Sequence, residues 1–319
     1  MFKGISLLLP LILAAVSPAL AQQYPERSVK IVVGTTAGSG PDIQARTLGQ
    51  QLSATLGQPF VVENRPGANQ TIAARMVAQS ESDGHTLLFV SSAIAPTPYI
   101  YKNPGYDLKA DLKPVASIGI LDGILMLVDA KSPIKTLPEF IAQAKKDRAV
   151  YGSPGVGNIL HLATELFSKD AGISMQHIPY KGVSEVITAL LGGSVQVMFV
   201  TPPSVIGLIR DGRVRALAYT GSKPFPVFPE VPLMKDVLPG SKPLGSWAMF
   251  FAPAKTPTAT IEKLNASIRS ALQTPAVASI MQRDGYIPDN RDAAQTATFF
   301  SKEVDLMADA VAAAGIKPN

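Results

Sequence analysis

The chain has 319 residues, a length that suits two domains, and 46% of them are apolar, enough to bury a sizeable core. Only 17% are charged, which excludes disorder over most of the chain, while 25 glycines and 27 prolines argue against a helical bundle. With no cysteine, disulfides and thiolate chemistry are excluded; His85, His161 and His177 lack metal-ligand spacing, so a His-based zinc site is not expected, and the net charge of +5 lacks the Lys/Arg-rich run of a nucleic-acid binder.

Residues 1–21 read as an export signal. Lys3 supplies the positive start, residues 5–16 the apolar stretch, and Ala19-Leu20-Ala21 a small-x-small cleavage site. Pro10 and Pro18 interrupt the stretch, which falls short of the ~20 residues that span a bilayer. Cleavage after Ala21 is expected. An exported chain without cysteine points to a bacterial periplasm.

Strands and helices then alternate. Strands are expected over 29–33, 60–63 and 86–90. Helices are expected over 41–56, stopped by Gly57, and over 71–79 with Ile72, Met76 and Val77 inward. A second cycle follows, with strands over 124–128, 150–152, 176–179, 195–200 and 215–219. Its helices run over 138–146, 159–169, 183–191 and 203–210. Residues 223–243 hold six prolines and should be irregular loop. A strand over 247–252 and helices over 258–273, 276–283 and 292–314 complete the chain. The order predicts an α/β protein of two similar halves with parallel-rich sheets flanked by helices. The chain crosses near 119–128 and returns near 240–247. The first domain takes residues 22–123 and 246–319, and the second takes 124–245. Two crossings make a hinge, and the cleft between the domains is the expected ligand site.

Two glycine-rich strand-to-helix loops carry the candidate chemistry. In the first, Gly38 and Gly40 allow close backbone approach, and Pro41 presets the helix. Thr35, Thr36 and Ser39 add hydroxyls around unpaired helix N–H groups. That is a neutral anion trap or an ordinary tight turn. The second, residues 152–158, repeats the device, with Ser153, Gly157 and Asn158 and with His161 in the following turn. His161 should be neutral beside a helix N-terminus and could donate one hydrogen bond, or it is a packed helix residue. Ser91, Ser92 and Thr201 follow strands and are lesser candidates. Gly38-Ser39-Gly40 with Glu63 further on looks like a dinucleotide fingerprint, but Ile43 replaces its third glycine. No hydrolase or Walker motif is present, so no cofactor, metal or catalytic residue is expected.

The stretches YPERSVKIVVGTTAGSGPDIQART, LGQPFVVENRPGANQTIAA, SDGHTLLFVSS, PVASIG, YGSPGVGNILHLATELF, IPYKGVSEVITALLGGSVQVMF, GRVRALAYTG and FFAPAKTP run in order across the mature chain. Together they resemble the Bug-type extracytoplasmic solute receptors, the binding subunits of tripartite tricarboxylate transporters. The resemblance implies a two-domain, type II-like periplasmic binding protein that closes on a small organic carboxylate and delivers it to membrane permease subunits. It implies a monomer without turnover. A partner of a sensor kinase and an exported α/β enzyme are the alternatives. The site it implies is Thr36, Gly38, Ser39 and Asp42, then Ser91 and Ser92, then Ser153, Gly157, Asn158 and His161. Asp42 is expected to order the helix start, since like charges repel. The family's first loop commonly reads proline-aromatic-proline-proline-glycine-glycine. Here Thr35 stands at the bulky aromatic position, which implies a ligand larger than a four-carbon diacid, such as an aromatic mono- or dicarboxylate.

Overall fold

The computed structural model describes residues 24–318. The expected export signal and its cleavage point after Ala21 lie outside them. Chain order is β1 (Val29–Val33), α1 (Gly40–Leu56), β2 (Phe60–Asn64), α2 (Thr71–Ala78), β3 (Thr86–Ser91), α3 (Thr97–Ile100) and β4 (Leu112–Leu121). Then come β5 (Leu125–Asp129), α4 (Leu137–Lys146), β6 (Val150–Ser153), α5 (Ile159–Ala171), β7 (Gln176–Pro179), α6 (Val183–Leu191), β8 (Val197–Val200), α7 (Ile206–Arg210) and β9 (Val214–Tyr219). Last are α8 (Met234–Val237), β10 (Ser246–Pro253), α9 (Thr258–Leu272), α10 (Pro275–Arg283), β11 (Ile287–Pro288) and α11 (Ala293–Ala313).

Two sheets form. One has the order β11-β4-β10-β3-β1-β2, the other β7-β6-β8-β5-β9. Each contains three parallel strands, β2-β1-β3 and β7-β6-β8, as the βα alternation requires. The first sheet also holds two strands that run against these, β11 at the edge beside β4 and β10 between β3 and β4; the second holds one, β5, between β8 and β9. Strands β10 and β5 are the first laid down after each change of sheet. The sheets are therefore mixed rather than parallel throughout. A strand entering from the other sheet arrives at the opposite end and runs backwards.

Helix α1 shows why the local sequence folds as it does. Ala45, Leu48 and Leu52 recur at helical spacing and pack with Ile31, Leu87 and Phe250 in one apolar cluster. Gly57, at φ +74, ends the helix through its N–H to the Ser53 carbonyl. Helix α11 opens with a capping box, Asp292 and Gln295 each satisfying the other's backbone N–H. It packs on β4 and reaches α5 of the other sheet.

Several sequence expectations change. Strand β4 has no counterpart among the expected strands, because Pro114 and Gly119 interrupt its pattern; the sheet absorbs the proline at a register shift opposite Phe250 and Phe251. Ile72 points outward at 43% exposure, because α2 packs through the smaller Ala73 and Ala74. The helix expected from residue 203 starts as a tight turn over Pro202–Ser204, since two prolines supply no N–H donors. The proline-rich loop carries α8 and buries Phe225, Phe228 and Val231, so it is packed rather than loose.

The two crossings lie side by side and bond to each other. The Asp122 carboxylate accepts the Ser222 N–H at 2.7 Å, the Ser222 hydroxyl at 2.9 Å and the Lys223 N–H at 3.2 Å. Thr220 Oγ1 accepts the Ile124 N–H at 2.9 Å and donates to the Leu244 carbonyl at 2.6 Å. The backbones touch because their contact points are glycines: a Cβ on Gly245 would sit 2.3 Å from the Leu121 carbonyl oxygen. Gly245→Ala is therefore expected to cost about 1–3 kcal/mol of stability, read by urea unfolding; an unchanged midpoint would contradict this contact.

Candidate functional site

The parallel strands of both sheets end in loops that meet. Residues 34–39, 65–70 and 92–96 follow β1, β2 and β3; residues 154–158, 180–182 and 201–205 follow β6, β7 and β8. Asn69 Nδ2 donates to the Val156 carbonyl at 3.1 Å, and Asn158 Nδ2 donates to Asn69 Oδ1 at 3.2 Å. A Cβ on Gly40 would lie 3.5 Å from Pro203. The two loop sets thus face one another across the lobes.

The first loop is ordered from below by Asp42, whose residue exposure is 2%. Its carboxylate accepts the Gly38 N–H at 2.8 Å, Arg46 Nε at 3.1 Å and Asn64 Nδ2 at 2.9 Å. Asn64 also donates to the Thr35 carbonyl at 3.0 Å. Burial alone would raise the Asp42 pKa. The hydrogen bonds from Arg46, Gly38 and Asn64 outweigh it and hold the carboxyl below the usual range. Above the loop, Thr35 Oγ1 and Ser39 Oγ are paired at 2.8 Å, so the Ser39 side chain does not cap α1. Among the described residues no acceptor takes the N–H of Gly40 or of Asp42. Thr36 and Gly38 are exposed beside these donors. This end of α1 offers N–H groups and the positive end of the helix dipole to an anion.

The second loop is built differently. Asn158 Oδ1 accepts the Leu160 N–H at 3.0 Å and so caps α5. His161 Nδ1 accepts the Gly157 N–H at 2.9 Å, which places the ring proton on Nε2, 3.8 Å from Glu165. Tyr151, His177 and His161 stack in series with centroids 4.8 Å and 4.0 Å apart, and the Tyr151 hydroxyl donates to Glu165. Ser153 Oγ donates to the Gly155 carbonyl at 3.1 Å, so His177 Nε2, 2.7 Å away, donates to the serine. A histidine used as general base would accept that proton instead. Burial, then the neighbouring His177, lowers the His161 pKa to about 3; burial lowers His177 to about 4. His161 is neutral, as the helix dipole suggested, but burial is the main cause.

The sequence candidates thus divide. Thr35, Thr36, Gly38 and Ser39 form the open first loop, with Asp42 beneath it. Ser91 is held by Gln70: its N–H donates to Gln70 Oε1 and its hydroxyl accepts from Gln70 Nε2, both at 2.9 Å. Ser92 is buried and paired with Ser246 Oγ at 2.7 Å, joining β3 to the start of β10. Ser153, Gly157 and His161 are buried within the second loop, Asn158 lies at the contact between lobes, and Thr201 is half-buried at the end of β8.

Asn64, Asn69, Gln70 and His177 are not among the sequence candidates. Ala68, Asn69 and Gln70 are consecutive non-glycine residues at φ +46, +51 and +72. Each costs roughly 1 kcal/mol in that region, a strain that clusters at functional positions. The sequence Gly-Ala-Asn-Gln at 67–70 has no periodicity to reveal them; only Asn69, a residue tolerant of the left-handed region, hints at it. Among the described residues no group of three acidic or histidine side chains could hold a metal ion, and no helix is long and apolar enough to cross a membrane.

Two mixed sheets, joined by two crossings and facing each other through strand-end loops, define a two-lobed α/β protein like the periplasmic binding proteins. Residues 44–316 match the family described as tripartite tricarboxylate transporter family receptor, and the chain belongs to that family. The protein BugT of Bordetella pertussis is 33% identical over 305 residues, 94% of this chain and 93% of that protein. The structure of periplasmic binding protein BugD aligns at a TM-score of 0.86 with 28% identity, covering 93% of this chain and all of that one. Rpa4515 of R. palustris with adipate aligns at 0.87 with 29% identity, again over 93% of this chain and all of that one.

Acid should unfold the protein in two windows. In the unfolded chain His161 and His177 take protons near the ordinary 6.5, in the fold only near 3 and 4, so stability falls as pH drops below 6.5. Asp42 is depressed below 3.8, so its contribution is present above that value and is lost as pH falls through the folded one. Chemical unfolding across pH checks both: H161Q/H177Q should flatten the upper limb, and D42N should lower neutral stability and flatten the lower one.

Proposed function

We propose that this chain is exported, cleaved after Ala21, and captures a small organic carboxylate between its lobes for delivery to membrane permease subunits. Residues 22–123 with 246–319 form one moving body, and residues 124–245 form the other. The observation that carries this reading is the start of α1. There a helix of 17 residues keeps the N–H groups of Gly40 and Asp42 free, beside exposed Thr36 and Gly38. The Asp42 carboxylate in the first turn is turned inward and neutralised by Arg46. An incoming anion meets donors rather than a like charge.

Closure follows from contacts that only both lobes can make. Asn69 and Asn158 already bridge them, and Thr201 lies half-buried just after β8. A ligand touching both sides favours the closed state by its differential affinity. The protein performs no turnover in this reading. The similar structure of Rpa4515 with adipate supports a carboxylate as the ligand class. Thr35 leaves room above the first loop, so the ligand is larger than a four-carbon diacid, and an aromatic acid such as benzoate or terephthalate suits that space.

Calorimetry on the mature chain tests this. Aromatic acids are expected to bind about tenfold or more tightly than succinate or citrate, a difference of one well-placed contact. Gly38→Ala is expected to weaken binding by about tenfold, because Gly38 sits at φ +78 and its N–H orders the loop through Asp42. Binding of succinate without aromatic acids would overturn the size argument. Binding of no carboxylate would overturn the function.

A further inference from the structure

Gln70 sits where a ligand group would be expected. Strand β1 ends at Val33, so the Ser91 N–H at the end of β3 loses its sheet partner and points toward the loops. Gln70 fills that place from within the chain. Its Oε1 accepts the Ser91 N–H and its Nε2 donates to the Ser91 hydroxyl, at 2.9 Å each. A free carboxylate would take the same two positions, accepting from the N–H and, after rotation of the hydroxyl, from the serine as well. A carboxamide has the same planar shape but no charge, so it fills the subsite without repelling an anion bound nearby.

The seat is built for this side chain. A Cβ on Gly34 would fall 2.6 Å from Gln70 Cβ and 2.8 Å from Gln70 Cγ, so Gly34 makes the space. Gln70 is only 4% exposed, and its backbone is held at φ +72, where glycine is the unstrained residue. A glycine at position 70 would relax the backbone and leave the Ser91 donors open. The strained glutamine keeps them closed.

We infer that Gln70 is a specificity-determining residue: its carboxamide occupies the carboxylate subsite at the end of β3, so the first lobe grips its ligand by a single carboxylate at the start of α1. This rests on the carboxylate-receptor reading and adds the selectivity of that site. The ligand that fits carries no second anionic group toward Ser91.

Selectivity between acids of matched skeleton tests it. Calorimetry of the mature chain with benzoate against terephthalate, and hexanoate against adipate, gives a diacid-to-monoacid affinity ratio for each pair. In Gln70→Gly that ratio should rise about tenfold or more in at least one pair, because a second carboxylate gains the Ser91 donors. Gln70→Ala also removes the plug while keeping the strain, and serves if the glycine variant fails to fold. Adding Ser91→Ala to either variant should cancel part of the gain, which a general loosening of the loop would not show. Monoacid and diacid binding with ratios unchanged in both variants overturns the inference and leaves the receptor reading standing. A complex of the unaltered chain with a ligand carboxylate on Ser91 and Gln70 displaced would also overturn it. Absence of any acid binding in every form would overturn the receptor reading, and this inference with it.

Discussion

The proposed anion site is built over a buried anion, and that is the constraint on which the rest of it depends. Asp42 lies in the first turn of α1, directly beneath the loop that offers N–H groups outward. Left unpaired, it would repel an incoming carboxylate and suffer a large desolvation penalty. Arg46, one helical turn on, and Asn64, at the end of β2, remove both problems. The same carboxylate fixes the Gly38 backbone and, through Asn64, the Thr35 carbonyl. One buried group therefore sets the shape of the loop, the sign of its outward field and the orientation of its donors.

The two lobes solve the same local problem in different ways. In the first, the helix start is left uncapped and the loop is braced from below by charge. In the second, Asn158 caps α5, and a neutral stack of Tyr151, His177 and His161 braces the loop through Gly157 and Ser153. The free donors are therefore concentrated on the first lobe. The second lobe contributes shape, the Asn158 contact and Thr201. Asp122 and Thr220 tie the paired crossings to each other.

Much of the fold is legible in the sequence because burial follows period. The parallel strands and the helices over 41–56 and 159–169 stand out as apolar runs and helical stripes, and the glycine-rich loops between them mark the strand ends. Strand β4 is hidden because Pro114 and Gly119 break its pattern, and its neighbours, β10 and β11, come from residues far along the chain. Strand order is hidden for the same reason: nothing in the residues of β5 says that it runs antiparallel. The first loop can be read from its own residues. Asn69 and Gln70 cannot, since their role depends on a left-handed backbone and on Ser91 and Val156, which are distant in sequence. His177, on a short exposed-edge strand, gives no sign that it stacks on His161.

In the proposed site the ligand's charge is met by backbone N–H groups and hydroxyls rather than by a side-chain cation. A crystal structure of the mature chain with a bound carboxylate tests that most directly. The predicted result is a carboxylate oxygen about 3 Å from the N–H groups of Gly40 and Asp42, with the second lobe closed over the ligand. A carboxylate paired instead with an arginine or lysine side chain, or bound outside the facing loops, would contradict it.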